Sequence, residues 1–326
     1  MTDQTRARGE EASSPWEMPI AAWKDVLVRT YREASADNVG HLAAGAAFYS
    51  FLALFPLLAA AVLTYGLVAD PDLVLSHLTA LTTMLPADVA RIIGDQLLSV
   101  VETSGGTKGL GLLVALAVAI FGARNAAGAI ITALNIAYEE EEKRGFLKTN
   151  LVALAITVCA VIALVIAAMA MAALGYLDAL MPTSGAWAIA ASKALSYALF
   201  AMAAAMGAAV LYRFGPSRER ASWKWVTPGS LLFAVAWVIL TLAFGFYIAR
   251  FGNYGATYGS LSAVVVLLTW LYLSAYALLF GGELNAELEH QTARDTTTGP
   301  AQPMGTRGAW AADNVASGQA AVPTAR

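Results

Sequence analysis

The chain has 326 residues, 58% of them apolar and 13% charged, with a net charge of −3. Soluble domains lie near roughly 45–50% apolar and about 25% charged, so an ordinary water-soluble core is excluded. The weak acidity excludes a nucleic-acid-binding domain, which needs clustered Lys and Arg. The single cysteine, Cys159, excludes an intrachain disulfide, and with no CxxC pair there is no redox or zinc motif.

In chain order, residues 1–22 read as a disordered arm. The first 40 residues carry Arg6, Arg8, Lys24, Arg29 and Arg32 without an apolar core, so no cleavable signal peptide is expected. The folded domain is expected over residues 23–290. It holds six nearly uncharged runs near 43–69, 109–138, 149–177, 194–212, 226–249 and 261–282. A helix rising about 1.5 Å per residue needs runs of this length to cross a hydrocarbon core about 30 Å thick. The fold class is therefore all-α: a polytopic bundle of six transmembrane helices. Residues 291–326, rich in Ala, Gly, Pro, Thr and Gln, read as a disordered tail.

Between the first two spans, Val74, His77, Leu78, Leu81 and Leu85 repeat at helical spacing. So do Val89, Ile92, Ile93, Leu97 and Val100 after Pro86. This pattern predicts a short pair of amphipathic helices on the outer face. His77 is either a packed histidine or a pH or ligand sensor. Pro56 predicts a kink in the first span. Cys159 reads as a small packing residue. The run Glu139–Glu142 reads as a solvated charged face, with a metal as the alternative. The glycine- and tyrosine-rich segment 251–260 is either a tight turn or a gate.

Orientation follows from the loops. Fifteen Lys and Arg fall on one side of the six spans and four on the other, while Arg124 lies within a span. The excess of positive charge on the cytoplasmic side places both termini in the cytoplasm. Trp187, Trp223, Trp225 and Trp270 fall near span ends, as interfacial anchors would.

Polar groups inside spans are costly and are the first place to look for a site. Arg124 and Asn125 lie in the second run, Asn135 and Arg213 near the ends of the second and fourth, Glu283 and Asn285 at the end of the sixth, and His41 at the start of the first. All gather toward one face. One reading is a cytoplasm-facing vestibule for an anionic headgroup, with Arg124 and Arg213 as cationic contacts and Glu283 as their partner. The other is long side chains reaching water at helix ends. Nucleotide, zinc-protease and serine-hydrolase signatures (GxxxxGK[ST], HExxH, GxSxG) are all absent. No catalytic residue, metal ligand or cofactor site is assigned.

Several segments resemble the YihY/virulence-factor-BrkB family of bacterial inner-membrane proteins. They are Ala43-Ala44-Gly45-Ala46-Ala47-Phe48-Tyr49 with Leu54-Phe55-Pro56, and Leu134-Asn135-Ile136-Ala137-Tyr138 with Arg144-Gly145-Phe146. Further along come Leu211-Tyr212-Arg213-Phe214-Gly215-Pro216, Trp225-Val226-Thr227-Pro228-Gly229, Tyr258-Gly259-Ser260-Leu261 and Gly281-Gly282-Glu283-Leu284-Asn285-Ala286-Glu287. Arg124 departs from the family pattern, in which small residues are usual. The resemblance implies six spans in the inner (plasma) membrane and a role in envelope integrity or lipid movement, with membrane lipids, envelope proteins or a second copy as partners. The old family label of ribonuclease finds no metal cluster or RNA-binding surface here. The expectation is a non-enzymatic protein that handles an amphiphile without its own ATPase, or a scaffold of the envelope.

Overall fold

The computed structural model describes residues 9–68, 108–158, 186–251 and 262–316. Within them the fold is all-helical, with one isolated bridge between Ala221 and Thr297. A 3₁₀ turn at Pro15–Glu17 leads into α1, Ile20–Ala36. Next come α2, Val39–Val68, α3, Lys108–Ala137, and an apolar helix α4, Phe146–Val158. The series closes with α5, Ala186–Phe214, α6, Trp223–Phe251, α7, Ser262–His290, and a short α8, Trp310–Asp313.

Among the described residues, four stretches are long and apolar enough to cross a membrane: Ile120–Ala137, Ala194–Phe214, Trp223–Tyr247 and Val264–His290. Two shorter apolar stretches, Val39–Leu54 and Phe146–Val158, accompany them. The expected outer helical pair at 70–108, with His77, lies outside the described residues, as do Cys159 and most of 251–260. Pro56 is carried within the helical run of α2.

The described connections 37–38, 138–145, 215–222 and 291–309 all lie at one end of the bundle, and most of the buried core among the described residues lies there too. Ala43, Leu134, Tyr138, Tyr212, Val226 and Leu279 form its main cluster; Val26, Trp225, Leu284 and Leu288 form a second. Away from this end, Leu113, Val118 and Phe121 of α3, Met202 of α5, and Val235, Ile239 and Phe246 of α6 are exposed. Long helices with apolar side chains facing outward suit hydrocarbon as their solvent, since lipid tails are as apolar as leucine.

Small residues decide how closely the helices approach. A Cβ on Gly229 of α6 would overlap the Gly281 carbonyl oxygen of α7, and one on Gly281 would lie 2.5 Å from the Tyr212 Oη. Only glycine permits this backbone contact. The Asn285 carboxamide locks the crossing: its Oδ1 accepts from the Gly229 N–H at 2.7 Å, and its Nδ2 donates to the Val226 carbonyl at 3.2 Å. Tyr212 ties α5 to α7 by donating to the Leu278 carbonyl at 2.6 Å.

Two expectations are corrected at this end. Residues 9–19 of the arm and 291–316 of the tail pack together where disorder was expected. Each supplies the other's hydrogen bonds: the Thr292 hydroxyl donates to the Glu10 and Ala12 carbonyls, and the Ala293 N–H donates to the Glu10 carbonyl. Arg307, 7% exposed, donates to the Gln302, Ala312 and Ala293 carbonyls. Asp313 accepts from the Gly305, Arg307 and Gly308 N–H groups. A composition poor in large apolar residues is thus held by side chain to backbone bonds. Trp225, expected as an interfacial anchor, is fully buried in the second cluster, whereas Trp187 is 79% exposed.

Candidate functional site

The site at the packed end begins with helix termini. Helix α3 closes in a Schellman motif: the Glu139 N–H donates to the Ile136 carbonyl and the Glu140 N–H to the Asn135 carbonyl. The residue in the left-handed conformation, normally glycine, is Glu139, with φ 54°. Helix α1 closes in similar fashion at Asn38, also at φ 54°. These two corners bring Asp37 and Glu139 together. With Glu33, one helical turn before Asp37, they place three carboxylate oxygens within 4.8 Å of one another.

Glu283 of α7 lies against Asp37. It is 2% exposed, its carboxyl lies within hydrogen-bonding reach of that of Asp37, and its Oε1 has no partner. Glu287, one turn further on, is matched: Arg29 Nε meets it at 2.5 Å while Arg29 also donates to Gln291 at 2.6 Å, and His290 Nδ1 lies 3.8 Å away. Burial, then the charges of Glu139 and Glu33, push the Asp37 carboxyl up to about 6. Burial and the charges of Glu287 and Glu139 raise Glu33 as well.

Beside the acids lies a buried ion pair. Arg218 meets Glu289 at 2.6 Å, with side chains 1% and 0% exposed. Thr296 donates to the other Glu289 oxygen, and the Arg218 guanidinium stacks 4.3 Å from the Tyr138 ring centroid. This pair joins the 215–222 connection to α7 and the tail.

The residues singled out from the sequence separate into distinct roles. Arg124 donates to Asn150 at 2.5 Å, joining α3 to α4, and to its neighbour Asn125 at 2.8 Å. It lies fourteen residues before Tyr138, about 20 Å along the helix axis at 1.5 Å per residue. Asn135 accepts from the Ser217 N–H at 2.7 Å and donates to Glu142 at 3.0 Å. Asn285 locks the α6–α7 crossing. Arg213 donates to the Ala221 carbonyl and lies 4.5 Å from the Trp223 ring centroid. Among the described residues no ion pair joins Arg124 or Arg213 to Glu283, whose strongest charged neighbours are the acids Asp37, Glu287 and Glu33. Glu283 does not reach water, and His41 is exposed.

The run Glu139–Glu142 is not one solvated face. Glu139 joins the acidic group, Glu140 accepts from the Trp310 N–H at 2.6 Å, and Glu142 is held by Arg144 at 2.7 Å. Hydrogen bonds from Arg144 hold the Glu142 carboxyl down at about 2. Sequence reasoning missed Glu33, Asp37, Arg29, Glu287, Glu289 and Arg218. The spacing of acids in Glu283-Leu284-Asn285-Ala286-Glu287-Leu288-Glu289 was the available signal, because it puts charges on an apolar helix end where each needs a partner.

Residues 30–305 match the family described as Virulence factor BrkB. The chain is 29% identical over 246 residues to the ribonuclease-like protein YfkH of Bacillus subtilis, covering 74% of this chain and 87% of that protein. It is 33% identical over 91 residues to a UPF0761 membrane protein of Pseudoalteromonas translucida, and 35% over 82 residues to one of Tolumonas auensis. These two matches cover 28% and 25% of this chain, and 30% and 27% of the relatives. No solved structure matches.

Proposed function

From the premise that this chain belongs to the Virulence factor BrkB family of membrane proteins, we propose that it handles a lipid or similar amphiphile in maintaining the bacterial envelope. In this reading six spans cross the inner membrane with both termini in the cytoplasm, so the packed, charged end faces the cell interior. Residues 70–108 supply an amphipathic pair on the outer face. No catalytic step and no ATPase of its own is involved.

The observation that carries the reading is the distribution of packing. Among the described residues the buried core gathers at the charged end, while the apolar midsections leave Met202, Val235, Ile239 and Phe246 facing outward. Such helices present long apolar faces to acyl chains beside an interface rich in charge. Helix α1 suits that interface: Trp16, Ile20, Leu27 and Tyr31 are exposed on it or just before it, beside Lys24 and Arg32. An apolar face rimmed by cations lies favourably among anionic headgroups.

The test is lipid redistribution in vesicles reconstituted with the pure protein and a fluorescent phospholipid in one leaflet. Redistribution well above that of empty vesicles is expected, and a rate equal to empty vesicles would overturn the reading.

A second reading, a scaffold of the envelope, is favoured by one specific observation. Arg124, Asn135, Arg213 and Asn285 are all engaged in bonds between elements of the chain, and Asn125 accepts from Arg124 within α3. Under that reading, replacing them changes stability and leaves any lipid redistribution by the folded fraction unaltered.

A further inference from the structure

We infer that Glu33, Asp37 and Glu139, backed by the buried Glu283 carboxyl that faces Asp37, form a binding site for a hard divalent cation of the calcium or magnesium class, at the packed end of the bundle. The inference is independent of the amphiphile reading and rests on four acids from three separated parts of the chain.

The spacing fits first. Oxygen ligands about 2.3–2.6 Å from one calcium ion lie no more than about 5 Å from each other. The oxygens of Glu33, Asp37 and Glu139 lie within 4.8 Å. Carboxylates alone, with no histidine or cysteine among them, select a hard cation over zinc or copper.

The second observation is Glu283. Its carboxyl is 2% exposed, faces Asp37, and leaves Oε1 without a partner. A buried carboxylate is found with a partner because desolvating an unpaired charge is costly. The nearby cations are committed elsewhere, since Arg29 and His290 both face Glu287. Two carboxyl groups in hydrogen-bonding reach cannot both stay charged without a proton or a cation between them. Their positions increase the demand. Glu33 and Asp37 close α1 and Glu139 closes α3, so they crowd the negative ends of two helix dipoles. Glu139 is exposed, which gives an ion a way in from solvent.

The experiment uses the full-length protein in detergent, stripped with EDTA and held at pH 7.5. Manganese is titrated and followed by its electron paramagnetic resonance signal, then competed with calcium and magnesium. Thermal unfolding is recorded in parallel with each cation. One saturable manganese ion per chain, displaced by calcium or magnesium, is expected, together with a rise in Tm. E139Q and D37N are expected to weaken binding at least tenfold, and E141Q to leave it unchanged. Because Glu139 is exposed, E139Q keeps the test valid if D37N does not fold. Absence of saturable binding would overturn the inference, as would equal affinity in E139Q. A stability that follows pH but ignores every cation would also overturn it, by assigning the bridge between Asp37 and Glu283 to a proton.

Discussion

The Arg218 guanidinium meets the Glu289 carboxylate at 2.6 Å with both side chains almost wholly out of solvent, so the connection after α5 is bolted to the end of α7. Removing one member strands the other charge, and broken buried pairs cost about 3–5 kcal/mol. We expect R218M and E289Q each to lose stability of that order in detergent unfolding. The double replacement R218M/E289L should lose less than the sum of the two single replacements, because neither charge is then left alone.

The crossing of α6 and α7 gives a contrast between glycines. G229A pushes a methyl group into the Gly281 carbonyl and disturbs the Asn285 lock. It should destabilise by about 1–3 kcal/mol or more, as overpacking does. Nothing lies within 4 Å of a Cβ on Gly128. G128A should be neutral or stabilise α3 by up to about 1 kcal/mol through helix propensity. Parallel unfolding curves of the two variants would check both signs.

The Glu142 carboxyl is held near 2 by Arg144, against an ordinary value of 4.5. A depressed acid contributes stability that is present above 4.5 and is lost as pH falls through about 2. In acid titrations between those values, E142Q should flatten this part of the stability loss. An unchanged acid limb would show that the bond to Arg144 does not persist in solution.

Glu139 occupies a left-handed position that ordinarily goes to glycine. In the presence of EDTA, E139G should stabilise the protein by about 1 kcal/mol by relieving that conformation. With saturating calcium the order should reverse, because the variant has no carboxylate to offer. If E139G is no more stable than the parent in EDTA, the strain at this corner is compensated by something other than a ligand.

Arg307 organises the tail by donating to three carbonyls. R307A should loosen residues 292–316 and speed tryptic cleavage at Arg294 several-fold, with cleavage inside the helices unchanged. Equal cleavage rates would mean that the contacts of Thr292 and Asp313 suffice.

The long uncharged runs by themselves determined the class of protein, because burying that much apolar surface along a helix needs either lipid or a very large core. They also located α2, α3 and α6 to within four residues, whereas α5 already begins by Ala186 and α7 runs on to His290, eight residues beyond the expected limits. The motif around Gly281 and Glu283 was legible as important in sequence, though not for what it does there. Only the tertiary structure decided that. Period and hydropathy report which solvent a helix prefers, but not which distant residue meets it. The acidic group needed α1, α3 and α7 to end at one place, and no pattern within residues 33–37 or 283–287 encodes the position of Glu139. The tail was misread for a related reason. Arg307, Thr292 and Asp313 hold it through backbone carbonyls and N–H groups, which every residue carries and which composition therefore cannot reveal.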